Sequence, residues 1–166
     1  ECAPLQHNIP CVGYTFKEKD RRRIDLGKTK KLGIPPGPDL GKLQQGKSIV
    51  WKGKKVTPDA TTYVVQGKKI AYVVDTAPTK EITKLAKDAD VFICEGTFGE
   101  ELKDRAHEYK HLTVVDAATF AKKAKAKQLF LTHFSPRYPS TKDLEKQAKK
   151  VFPDTTCAKD LQQVKL

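Results

Sequence analysis

Four polar residues stand at or just past the ends of apolar runs: His7, Asp75, Glu95 and His133. Imidazole nitrogens and carboxylate oxygens from separate strand ends are what a borderline-soft cation such as zinc takes as ligands. The segment Leu131-Thr132-His133-Phe134-Ser135-Pro136-Arg137-Tyr138 carries the clearest version, a buried strand that delivers one histidine with an arginine beside it. His111 precedes Thr113, a candidate helix N-cap, and that helix leads into the His133 strand. His107 lies one helical turn earlier, but no third ligand follows it, and it reads as a surface histidine. Asp75 and Glu95 also have a plainer reading, since each could cap the helix that follows it.

The elements that must position these residues alternate from Tyr63 onward. Strands are expected at 69–74, 91–94 and 128–132, and helices at 78–87, 99–109, 113–125 and 141–150. Such alternation predicts a layered α/β domain with a largely buried sheet, its site at the carboxyl ends of the strands. Two short strands, at 4–7 and 11–16, precede it. Between these strands and that domain lies a different kind of segment: 17–23 is almost wholly charged, and Gly33-Ile34-Pro35-Pro36-Gly37-Pro38 can continue neither helix nor strand. There, short helices are expected at 24–32 and 39–45, with a hairpin from Ser48–Trp51 to Lys54–Val56. The expected domains are core strands at 1–16, a basic arm at 17–57, and the rest of the α/β domain at 58–166.

The net charge is +12, and residues 17–55 hold thirteen Lys and Arg against four acidic residues. A basic segment of that density attracts a polyanion through phosphate contacts and counterion release. The four cysteines include no Cys-x-x-Cys pair, so neither a zinc ribbon nor a disulfide scaffold is indicated, and a reducing cytoplasm is the expected setting. No apolar run has the length of a membrane span. The chain of 166 residues contains no methionine, and it is expected to be a piece of a longer protein.

Six ordered motifs carry a resemblance. They are His7-Asn8-Ile9-Pro10-Cys11-Val12-Gly13-Tyr14, Gly33 to Pro38, Val74-Asp75-Thr76, Glu95-Gly96-Thr97-Phe98, His111-Leu112-Thr113, and Leu131 to Tyr138. In order and approximate spacing they resemble ribonuclease Z, the metallo-β-lactamase-fold endonucleases that trim the 3′ trailer from precursor tRNA. The resemblance implies an α/β fold of the αββα sandwich type, here its carboxy-terminal half with an inserted basic arm. It implies two zinc ions in the intact enzyme, with manganese an alternative, and a homodimer. His7, Asp75 and His133 are then expected metal ligands, and Glu95 with His111 a catalytic pair that assists departure of the 3′ oxygen. Arg137 is expected to grip a phosphate. Arg21, Arg22, Arg23, Lys28, Lys30 and Lys31 are expected to hold the tRNA from the arm.

The chain departs from that pattern in lacking the His-x-His-x-Asp-His motif, which belongs to the amino-terminal half. By itself the chain is therefore expected to be inactive. Val74, Cys94 and Leu112 also replace residues usual in the family. Two other classes stay open: a non-catalytic tRNA-binding module, and a hydrolase of the same fold acting on small esters or thioesters.

Overall fold

The computed structural model describes residues 1–166. They form two compact units, one made of Glu1–Lys17 with Lys68–Leu166, the other of Glu18–Gly67. In chain order the first unit opens with β1 (Cys2–Leu5) and β2 (Cys11–Lys17). The second contains β3 (Arg21–Ile24), α1 (Leu26–Lys31), α2 (Pro38–Gln44), β4 (Ile49–Trp51), β5 (Lys54–Val56), α3 (Pro58–Thr61) and β6 (Thr62–Val65). The first then resumes with β7 (Lys69–Val73), α4 (Lys80–Ala86), β8 (Val91–Glu95), α5 (Lys103–Glu108), α6 (Val114–Ala124), β9 (Gln128–Thr132), α7 (Lys142–Lys149) and β10 (Thr155–Cys157).

The first unit is built on a six-stranded sheet of order β1-β2-β7-β8-β9-β10. From β7 to β10 the strands are parallel, each reached through a helical crossover, whereas β1 and β2 add an antiparallel margin. Side chains alternate across such a sheet. Ala71, Val73, Phe92, Cys94, Leu129 and Leu131 all turn to one face and are buried with residues of α4, α6 and α7. Ala117, Ala118, Ala121 and Ala124 give α6 a flank of small side chains, which lets the helix lie close to the sheet. Its start is fixed by a capping box, in which Thr113 and Asp116 satisfy each other's backbone N–H.

The opposite face of the sheet is apolar too. Tyr14, Phe16 and Tyr72 are 39–62% exposed there. Residues 158–166 run along part of it, lining a groove of about 230 Å3 with Ile70, Ile93 and Phe130.

The second unit has its own small core of Ile34, Leu43, Ile49 and Val56. Asp25 caps α1 by accepting from Lys28 N at 3.0 Å, and Trp51 Nε1 donates to the Leu32 carbonyl at 3.1 Å. The end of the charged run, to which the sequence reading assigns no element, is a strand here. Arg21-Arg22-Arg23-Ile24 pairs antiparallel with Thr62-Tyr63-Val64-Val65, whose β-branched and aromatic residues favour the extended state. The unit runs on to Gly67. Arg22 is also drawn into local structure, donating to Asp59 at 2.6 Å and to Thr62 at 2.9 Å.

In the first unit, Asp90 ties together the amino ends of three neighbouring strands. It accepts from Lys69 N at 2.8 Å and from Lys127 Nζ at 2.7 Å, just before β8 begins. The Lys127 hydrogen bond is the main reason its carboxyl titrates below the usual range. A depressed carboxylate stabilises the fold above its unfolded pKa, and that contribution is lost as pH falls through the folded value. Asp90→Ala is expected to cost about 1–3 kcal/mol at pH 7 in urea unfolding. The difference from the parent should shrink steadily as pH drops below about 4.

Candidate metal centre

Asp75 follows β7, Glu95 ends β8 and His133 follows β9, so three adjacent parallel strands deliver them to one sheet edge. His111 comes from the turn ahead of α6, and His7 from the loop between β1 and β2. Asp75 and His133 leave their strands with φ of 56° and 59°. A non-glycine residue in this left-handed region is strained, and such strain gathers where a side chain must be aimed.

Glu95 is fully buried. Its Oε1 accepts from Thr76 N at 2.5 Å, and its Oε2 accepts from Thr97 Oγ1 at 2.6 Å, Leu112 N at 3.1 Å and His111 Nδ1 at 3.0 Å. Neither carboxylate of the site serves mainly as a helix cap. The hydrogen bond to Glu95 raises the His111 pKa, against an opposing push from burial.

Thr97 settles the orientation of His133. Its single hydroxyl proton goes to Glu95, so the oxygen accepts from His133 Nδ1 at 3.0 Å. His133 Nε2 is then left with its lone pair, 3.1 Å from Asp75 Oδ1. His111 instead donates from Nδ1 to Glu95, which favours its protonated form. An imidazole that donates from one nitrogen to a fixed acceptor and offers the other is arranged as a metal ligand.

Asp75, His111 and His133 offer ligand atoms that all lie within 4.8 Å of one another. Asp75 Oδ1 is buried and makes no hydrogen bond, although imidazole nitrogens stand 3.1 and 4.0 Å away. A buried carboxylate oxygen without a donor is costly, and a cation is the partner that would satisfy it. The residues present therefore fit a metal ion.

His7 stands outside this group of three, its ring centroid 5.0 Å from that of His111 and its Nδ1 3.1 Å from the Lys110 carbonyl oxygen. His107 pairs with Asp116 at 2.9 Å, away from the cluster. Arg137 borders the site, its guanidinium 5.2 Å from the centre of the Phe98 ring and its Nε bonded to Ser135. The loop bearing it is pinned by Tyr138, which donates to Glu101 at 2.7 Å and accepts from Gly99 N at 2.9 Å. Arg21, Arg22, Arg23, Lys28, Lys30 and Lys31 all belong to the other compact unit. Sequence reading missed Thr97 and Thr76. The signal for Thr97 was its place two residues after Glu95, which returns it to the same side of the chain.

Residues 42–134, more than half of the chain, match the family model described as the beta-lactamase superfamily domain. The chain belongs to this superfamily. It is similar to the ribonuclease Z of Archaeoglobus fulgidus, 45% identical over 159 residues that cover 93% of this chain and 52% of that protein. Human tRNase Z, short form, is 25% identical with a TM-score of 0.53, over 97% of this chain and 39% of that one. A metallo-beta-lactamase fold protein of Bacillus subtilis shares the fold at a TM-score of 0.59 and 17% identity, over 95% of this chain and 45% of its own. The fold is thus the metallo-β-lactamase fold, as the motifs imply, and the chain spans about half the length of the curated relatives it matches.

A raised histidine pKa stabilises the fold at pH below the unfolded imidazole value, and this contribution is lost as pH rises through the folded one. Glu95→Gln removes the carboxylate that raises it. In the metal-free protein, NMR titration is expected to show the His111 midpoint shifting down toward the ordinary histidine value.

Proposed function

We propose that this chain is the carboxy-terminal half of a zinc-dependent endoribonuclease that removes the 3′ trailer from precursor tRNA. The observation that carries this reading is the buried, donorless Asp75 Oδ1 among imidazoles, backed by Glu95, in a chain similar to ribonuclease Z over nearly its whole length. Asp75 and His133 would hold zinc, with His7 completing the set alongside residues of the amino-terminal half. When bound, zinc supplies Lewis acidity and an activated water at neutral pH.

The chain's own residues supply the rest. Glu95 fixes the His111 ring and favours its protonated form, which suits that imidazole to give a proton to the departing 3′ oxygen. The tRNA is left with a 3′-hydroxyl. Thr97 holds His133 in one tautomer throughout. Arg137 has no carboxylate partner and keeps most of its donors for a phosphate of the substrate.

The basic unit would grip the tRNA. Arg21 and Arg23 project from one face of β3, opposite Val65 and Tyr63, while Lys28, Lys30 and Lys31 crowd the last turn of α1. Arg22, engaged by Asp59, contributes to the local field more than to direct contact. The working protein is proposed to be a homodimer in the cytoplasm. No helix of the chain is long and apolar enough to cross a membrane. By itself the chain is proposed to be inactive.

The deciding assay uses the full-length protein and a precursor tRNA bearing a 3′ trailer, with chelator and then with added zinc. Zinc-dependent cutting after the discriminator nucleotide, reduced about 100-fold or more by Asp75→Ala or His133→Ala, is the expected result. Tight tRNA binding with no cutting under any metal would replace this reading with a binding module.

A further inference from the structure

Beside His111 and His133 lies a pocket of about 340 Å3 whose other walls include Phe98, Arg105, Tyr109 and Arg137. Two of these walls are arginines laid over aromatic rings: Arg105 stands 5.5 Å from the centre of Tyr109, and Arg137 5.2 Å from that of Phe98. Arg105 comes from α5 and Tyr109 ends it, so the helix that carries no candidate metal ligand forms one side of the pocket. Both arginines are solvent-exposed, and neither has a carboxylate within ion-pair distance. Tyr109 is 48% exposed. A guanidinium placed over a ring can still turn N–H donors to phosphate oxygens and offers a planar surface.

We propose that Arg105 and Tyr109, facing Arg137 and Phe98, form a subsite for one unpaired nucleotide flanking the scissile phosphate. The arginines take its phosphate, and its base stacks against Tyr109 or the guanidinium plane. The inference rests on the RNA-cleaving reading above for its placement in a reaction, but not for the binding itself. Only an unpaired base has a free face, so the subsite selects a splayed single strand over a duplex. It also brings the phosphate within the reach of His111, since both histidines line the same cavity.

The test has two arms, both in the full-length protein. In the first, cytidine 5′-monophosphate, cytidine and inorganic phosphate are titrated separately, with the arginine Nε–H resonances as readout. The nucleotide is expected to bind more tightly than phosphate or nucleoside alone, and Arg105→Ala should weaken it about tenfold or more. Equal affinity for phosphate and nucleotide would mean a bare anion site and overturn the stacking half of the proposal.

In the second arm, kcat/KM is measured on trailer-bearing precursors with an abasic residue on either side of the cut. Tyr109→Ala is expected to lower kcat/KM roughly 5- to 150-fold on the normal substrate. It should have little further effect once the abasic residue occupies the subsite, and Tyr109→Phe should restore most of the loss. Fully additive losses on both abasic substrates would overturn the proposal. If the parent cleaves nothing, the enzymatic reading fails while the titration still decides the subsite.

Discussion

Burying one carboxyl group sets the terms for this site. Glu95 lies at the end of the central parallel strand with no access to water, and such a group is tolerated only when its lone pairs are filled. The filling comes from Thr76, Thr97, His111 and Leu112, which belong to three loops distant in sequence. The carboxylate therefore works as a clasp: meeting its hydrogen-bond demand draws the β7 exit, the β8 exit and the turn before α6 into one place. From that clasp follow the tautomer of His133, set through Thr97, and the charge preference of His111.

The sheet supplies what the clasp cannot. Parallel strands with helical crossovers put their carboxyl ends together at one edge, so Asp75, Glu95 and His133 meet without any loop reaching across the fold. The left-handed turns at Asp75 and His133 then aim both side chains at the same space. The α6 capping box fixes where the helix starts, and hence where His111 points.

Charge is divided between the two units according to a different constraint. The unit of residues 18–67 carries a dense positive run but still needs a core, and Ile34, Leu43, Ile49 and Val56 meet that need with few residues. Its β3 strand shows what local composition does not reveal. Three consecutive arginines have no intrinsic pull toward an extended strand, yet the β-branched partner at 62–65 imposes one. Pairing partners this far apart in sequence cannot be read from either segment alone.

The alternation of apolar strands and capped helices after Tyr63 was legible because period and punctuation are local properties. Strand-end placement singled out His7, Asp75, Glu95 and His133 as candidates, and the motif order was enough for the fold family. Which of these side chains converge was a different matter. That His111 groups with Asp75 and His133 while His7 stands outside that group, that Thr97 links Glu95 to His133, and that α5 walls the adjoining pocket are consequences of three-dimensional approach. The sequence by itself determined the residue chemistry, the strand ends and the concentration of charge, since these depend on neighbours along the chain. Only the tertiary structure decided which lone pairs face one another, because hydrogen bonds and ion contacts act over a few ångströms in space, whatever the distance along the chain.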